Sequence, residues 1–246
     1  MNFETIEYDT DGPLAWIRLN RPQQKNAINE QMADELLQAS GQAQIDEDIR
    51  VILLSCKGGG FSTGFDLEGE DHSGLDEDEA QRALKNELKH AFNLTMHFWD
   101  SPKPTIAAVH GYCLAGALEL ALACDLTLAA TGCRFGKPEV RSGSGTVAML
   151  LPFICGGKRA REILLTGSER ISAEQAESWG LVNRVVNPGY LVPQARELGL
   201  EIAQNDPHAV RITKQAINAT YKFGKMRNAL KHALELDVAI ERSKRA

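Results

Sequence analysis

The run Val109-His110-Gly111-Tyr112-Cys113-Leu114-Ala115-Gly116-Ala117-Leu118-Glu119 constrains this chain more than any other, together with Phe135-Gly136-Lys137-Pro138-Glu139 downstream. An apolar strand meets a small-residue turn, and an apolar helix follows over Ala115 to Ala123. The first amides of a helix have no partner within it and lie at the positive end of its dipole. Gly116 can therefore present its N–H to a ligand oxygen, while Glu119, three residues on, shares its face. The segment pairs an anion site with a carboxylate. Glu119 is flanked by Ala117-Leu118 and Leu120-Ala121-Leu122-Ala123, so a charge there needs a partner or a task. Glu139 follows Pro138 in a loop and reads, from the residues alone, equally well as an exposed glutamate.

A second glycine-rich turn, Gly58-Gly59-Gly60-Phe61-Ser62-Thr63-Gly64-Phe65-Asp66-Leu67, comes directly after the apolar strand Val51-Ile52-Leu53-Leu54. It offers a second amide, that of Phe65. Two amides converging on one oxygen would stabilise the charge that develops there during a reaction. Turn chemistry alone also allows each glycine-rich stretch to be a tight connection and nothing more.

The remaining composition sets bounds. With 246 residues, 43 % of them apolar and 24 % charged, the chain has length for a large core and the make-up of an ordinary globular protein. A net charge of −6 with no long basic run speaks against nonspecific nucleic-acid binding. The N-terminal residues lack a signal-peptide pattern and no long uninterrupted apolar run occurs, so a soluble, cytoplasmic protein away from the membrane is expected. Cys56, Cys113, Cys124, Cys133 and Cys155 are odd in number and form no C-x-x-C pair, which reads as reduced core thiols. The six histidines show no metal-ligand spacing, and no metal is expected. Gly132 to Lys137 fails as a phosphate loop because Pro138 stands where Ser or Thr is required. Ser144 fails as a nucleophile elbow because the stretch Arg141-Ser142-Gly143-Ser144-Gly145-Thr146 does not match G-x-S-x-G.

Along the chain, Thr5 to Tyr8 and Leu14 to Leu19 flank the turn Thr10-Asp11-Gly12-Pro13 and predict a hairpin. Asn29 reads as the N-cap of a helix carrying Met32, Leu36, Leu37 and Ala39, and strand Val51 to Ser55 follows. An acidic, glycine-containing stretch over Gly69 to Asp78 predicts a surface loop before a long helix from about Glu79 to Trp99. Strand Ile106 to Val109, the helix to Ala123 and strand Leu126 to Ala130 repeat the theme. Beyond Pro188 helical spacing takes over, in Val192 to Gln204, Ala209 to Tyr221 and Met226 to Glu241. The expected fold class is α/β, divided into a core over 1–190 and a C-terminal helical segment over 191–246.

Taken together with Leu19-Asn20-Arg21-Pro22, Lys25-Asn26-Ala27-Ile28-Asn29, Pro102 to Val109, Ala123-Cys124-Asp125 and Leu165-Thr166-Gly167 through Val182, these segments stand in an order that resembles the crotonase superfamily, the enoyl-CoA hydratase/isomerase family. The likeness runs over roughly residues 3 to 210. It implies a crotonase-like spiral of repeated β-β-α units whose C-terminal helices take part in subunit contacts, in a homotrimer or homohexamer. It also implies an acyl-CoA thioester as substrate, with no further cofactor. The implied reaction is the reversible addition of water to a 2-enoyl-CoA, giving a 3-hydroxyacyl-CoA through a thioester enolate. Phe65 and Gly116 would supply the oxyanion-hole amides. Glu119 would act mainly as base toward water and Glu139 mainly as proton donor to the α carbon, with their roles shared or exchanged during turnover. Lys25, Ala27, Gly64, Asp66 and Leu67 would contact substrate or CoA.

The alternatives are another acyl-CoA reaction through the same enolate, such as double-bond isomerisation, hydrolysis or C–C cleavage, and a non-catalytic CoA- or RNA-binding scaffold. Three features depart from the family pattern. Val140 to Thr146 replaces a glycine- and proline-containing turn, Glu68 stands where many relatives carry lysine, and the terminal helix ends early. Lys222, Lys225 or Arg227, or a neighbouring subunit, would then complete the CoA site.

Overall fold

The computed structural model describes residues 3–66, 76–223 and 226–245. Strands β1 (Ile6–Asp11) and β2 (Leu14–Leu19) form the expected hairpin, with Ile6 opposite Leu19 and Asp11 opposite Leu14. Gly12 turns the corner at φ +57°, where a side chain would be strained. Four more strands extend β2 in parallel: β3 (Val51–Cys56), β4 (Thr105–Val109), then β6 (Leu126–Ala130) and β9 (Arg184–Val186), in the spatial order β1-β2-β3-β4-β6-β9. The central strands β3 and β4 are apolar and almost wholly buried because both of their faces are covered.

Alternate residues serve different layers, as a period of two requires. Ala15, Ile17, Ile52, Leu54, Ala107 and Val109 point into the larger core, together with helices α1 (Glu30–Ile45), α2 (Glu77–Trp99) and α3 (Gly116–Ala123). Leu14, Trp16, Val51, Leu53, Ile106 and Ala108 face the other way. Leu191 and Ala195 of the later helix α7 (Leu191–Ala203) cover them. The change of pattern near residue 190 is thus a change in the kind of element, while α7 itself packs on the sheet.

A smaller sheet runs in the order β5-β7-β8, from β5 (Tyr112–Leu114), β7 (Arg134–Gly136) and β8 (Ile171–Ser172). Ser62 joins it by a parallel bridge to Cys113. Each pass of the chain therefore lays one segment in the large sheet and one in the small sheet: β3 then Ser62, β4 then β5, β6 then β7. This is the expected repetition of β-β-α units. The four short strands β5, β7, β8 and β9 were not expected individually, since two or three residues are too few to display a period.

Helix starts follow local chemistry. Asn29 accepts from the Met32 amide, and Asp76 forms a reciprocal capping box with Glu79 that begins α2 slightly before the predicted Glu79. Helices α8 (Pro207–Phe223) and α9 (Met226–Arg245) complete the chain close to the predicted limits. Between them and β7 lie α4 (Leu151–Ile154), α5 (Gly157–Thr166) and α6 (Ala173–Ser178). Most of the predicted loop over Gly69 to Asp78 lies outside the described residues. Among the described residues no helix is long and apolar enough to cross a membrane. All five cysteines are free; four are buried and Cys56 is partly so.

Candidate active site

Two glycine-rich turns meet where the small sheet ends. The Leu114 amide donates to Ser62 O at 3.1 Å, and the Ala115 amide donates to Gly136 O at 2.9 Å, which ties all three passes together. Gly64 lies at φ +104°, and a Cβ there would stand 2.9 Å from Gly116 N and 2.7 Å from the Ala115 Cβ. Only glycine lets the two turns come this close. The Ile28 amide donates to Gly64 O and the Asp66 amide donates to Ile28 O, both at 2.8 Å. In such a parallel ladder the intervening Phe65 N–H points to the other side, away from Ile28.

Ala115 takes up φ +51°, ψ −131°, a conformation that glycine ordinarily holds, and so swings the chain from β5 into α3. Gly116 follows as the first helical residue, where no intrahelical acceptor exists. Among the described residues neither the Phe65 nor the Gly116 amide donates to any protein acceptor. Two unspent donors thus stand on adjoining turns at the positive end of α3, an arrangement suited to an oxygen that gains negative charge.

Glu119 is 1 % exposed. One carboxylate oxygen accepts from Lys137 Nζ at 2.5 Å and the other from the Ala148 amide at 2.9 Å. Burial raises its pKa against the opposing pull of Lys137, with the Glu139 charge adding to the rise, to about 7. Glu139 opens the 3-10 turn Pro138–Ser142 immediately after β7, and its Oε1 also lies 2.5 Å from Lys137 Nζ. Its Oε2 is buried and has no hydrogen-bond partner among the described residues.

Lys137 was not singled out by its sequence, yet it joins the two carboxylates. It is 1 % exposed. Burial alone would depress its pKa, but the two carboxylates prevail and raise it, so the site holds an ammonium. The signal lay in Phe135-Gly136-Lys137-Pro138: a cation at the end of a buried strand, beside a glutamate that needs a countercharge. Cys113 faces the same cluster as a neutral thiol, its pKa raised well above the ordinary value by burial, and its Sγ contacts Ala117 O.

The other expected contacts divide. Lys25 is exposed, at φ +54°. The Ala27 amide donates to Gln24 O, and its carbonyl accepts from Arg21 at 2.6 Å. Asp66 lies 3.7 Å from the same arginine. Asn26, also unremarked in the sequence, staples this loop to the glycine-rich turn: its Nδ2 donates to Lys57 O and Gly60 O, and its Oδ1 accepts from the Arg21 amide. Leu67, Glu68 and Lys225 lie outside the described residues. Arg227 binds both carboxylate oxygens of Asp100, and Arg141 lies 3.7 Å from Glu169 on the half-exposed surface.

A cavity of about 710 Å³, lined by Ile28, Phe65, Asp66, Ala83, His90 and Ala91, opens between the Phe65 turn and α2. A further cavity, about 610 Å³, is lined by Ile45, Lys103, Ile202 and Val210 and has no residue in common with the site. Among the described residues no group of three His, Cys, Asp or Glu side chains is placed to hold a metal ion.

The family model for enoyl-CoA hydratase/isomerase matches residues 9–244. The chain belongs to that family. The match continues past residue 210, where the sequence likeness had been drawn to a close. A crystal structure of an enoyl-CoA hydratase/isomerase from Xanthobacter autotrophicus Py2 is similar at 42 % identity and a TM-score of 0.93, over 98 % of this chain and 88 % of that one. The short-chain-enoyl-CoA hydratase of Clostridium acetobutylicum is 32 % identical over 89 % of this chain and 82 % of its own length. The (E)-benzylidenesuccinyl-CoA hydratase of Thauera aromatica is 37 % identical over 86 % and 81 %. The fold of this family member is accordingly the crotonase spiral with C-terminal helices.

Proposed function

We propose that the protein hydrates a 2-enoyl-CoA reversibly to a 3-hydroxyacyl-CoA. The observation that carries this reading is the pair of unspent Phe65 and Gly116 amides on adjoining turns, with Glu119 one helical turn beyond Gly116 and a buried, unpartnered oxygen on Glu139 among the described residues. The amides take the thioester oxygen, which accumulates charge as water attacks C3 and the π electrons move toward C1. They stabilise the enolate more than the ground-state carbonyl, and each is worth about 2.7–4 kcal/mol of barrier by comparison with other such holes. The acid–base function lies in the Glu119–Glu139 pair, whether its two members share the proton transfers or one of them carries both, and the cavity beside Phe65 accommodates part of the thioester. Lys25, Ala27, Gly64, Asp66 and Leu67 are assigned to the rim of the substrate and CoA site. The active form is a cytoplasmic homotrimer or homohexamer, with residues 191–246 contributing subunit contacts.

Double-bond isomerisation through the same enolate is a second reading. It is favoured by Lys137, whose ammonium occupies the space between the carboxylates that a water shared by both would need. Isomerisation needs only one carboxylate to move a proton. Incubation with 2-enoyl-CoA and 3-enoyl-CoA thioesters of increasing chain length, followed by product identification, separates the readings. Hydroxyacyl products support the first and shifted alkenes the second. Turnover unchanged in both Glu119→Gln and Glu139→Gln would refute the acid–base assignment.

A further inference from the structure

We propose that Lys137 is a positioning residue that clamps Glu119 and Glu139 together and leaves Glu139 Oε2 as the one atom of the pair that exchanges a proton with the substrate. The clamp is geometric. Nζ lies 2.5 Å from an oxygen of each carboxylate, and Ala148 N holds the second oxygen of Glu119. That leaves Oε2 of Glu139, buried and without a partner among the described residues. The charged and titratable groups around Nζ are Glu119 on α3, Glu139 in the 3-10 turn and the neutral thiol of Cys113 on β5. When both carboxylates are ionised, one cation between two anions gives the cluster a net charge of −1.

The inference rests on the hydration reading and deepens it. Water binds at Glu139 Oε2; its O–H bond breaks as oxygen bonds to C3, the C2=C3 pair moves into the enolate, and Glu139 takes the proton. The enolate then collapses, and Glu139 returns that proton to C2. One water is added, one carboxylate begins and ends ionised, and no further reactant is required. Glu119 fixes the ammonium and does not handle the proton.

Four variants test this: Glu139→Gln, Glu119→Gln, Lys137→Met and the double variant Glu119→Gln/Lys137→Met. The double variant keeps the cluster at −1, which guards against misfolding caused by an unpaired buried charge. Expected is an asymmetry: Glu139→Gln loses at least about 10²-fold in kcat, as removal of a general base does, whereas Glu119→Gln loses less than about tenfold. Lys137→Met, freed of the cation, shifts the acidic limb of the kcat profile and the carboxyl infrared titration to higher pH by about one unit or more. The double variant, retaining a single carboxylate, titrates as one group. Equal losses for the two glutamine variants, or a folded Lys137→Met whose carboxyl titration is unmoved, would overturn the proposal. The titration needs no substrate. If wild-type protein turned over no CoA thioester, the functional reading would fail while the clamp would still be decided.

Discussion

At the residue scale the site is built from two local costs, a strained backbone and a buried charge. Ala115 sits where only glycine is at ease, at φ +51° and ψ −131°, and such a position costs about 1–3 kcal/mol. Glycine there would lose about 0.5–1 kcal/mol through the freedom it adds to the unfolded chain, which is less than the strain relieved. Ala115→Gly should therefore be stabilising by up to about 2 kcal/mol and raise Tm by a few degrees, about 2–4 °C per kcal/mol for a chain of this size. Thermal melting beside a turnover assay checks this; a lower Tm would mean that the alanine is not strained. Glu119 gives the second prediction. Its pKa is about 7 in the folded protein against an ordinary 4.5, so between those values the folded state binds more protons than the unfolded one. Stability must then fall as pH rises through that window, by about 3 kcal/mol in all. The raised pKa of Lys137 acts only at far higher pH and does not enter the window. Glu119→Gln should match the wild type in urea unfolding below pH 4.5 and exceed it by about 3 kcal/mol above pH 7. Parallel stability curves would show that the glutamate is not held in that state.

At the element scale, helices bring the site together because each begins at a defined residue. The Asp76 side chain accepts from the Glu79 amide at 2.8 Å and the Glu79 carboxylate accepts from the Asp76 amide at 3.2 Å, closing the first turn of α2, whose later residues Ala83, His90 and Ala91 line the cavity beside Phe65. Asp76→Ala should cost about 1 kcal/mol and accelerate hydrogen exchange in the first turns of α2 while leaving α3 protected. Uniform acceleration across both helices would mean that the box stabilises the fold as a whole instead of one helix end. The long helices and the buried strands were legible because their periods run over many residues; Asn29 as a cap, α2 and β6 are instances. Strands β5, β7, β8 and β9 were not, since pairing across the small sheet defines them and no local pattern does. The same distinction separates the site residues. Gly116 and Glu119 lie one helical turn apart and could be read from one segment, whereas Lys137 joins Glu119 across 18 positions of chain and only the folded structure brings them together.

At the scale of the whole molecule, the C-terminal helices are fastened to the spiral by polar latches. Lys214 on α8 is 7 % exposed; its Nζ donates to Asp125 Oδ2 at 2.7 Å and to Lys103 O at 3.1 Å. The same Oδ2 accepts from the Thr105 amide and hydroxyl, so one carboxylate ties the start of β4, the end of α3 and α8 together. Asn218 adds a bond to Trp99 O, and Arg227 on α9 grips Asp100 at the end of α2. Apolar packing of α8 is less complete, for Ile212 is 46 % and Ile217 55 % exposed. The latches therefore bear a large share of the docking. Removing the lysine strips Asp125 of its cation while its other donors remain, which places the loss between an ordinary hydrogen bond and a broken buried ion pair, about 1.5–3 kcal/mol. Lys214→Met should lower stability by that amount and expose the connection between α7 and α8, around Asn205 and Asp206, to limited proteolysis. Because Glu119, Lys137 and Glu139 lie on other elements, the infrared titration of their carboxyl groups should stay as in the wild type. A variant that resists cleavage at 205–206 as well as the wild type would show that α8 is held by its apolar face, and that the latch only orients it.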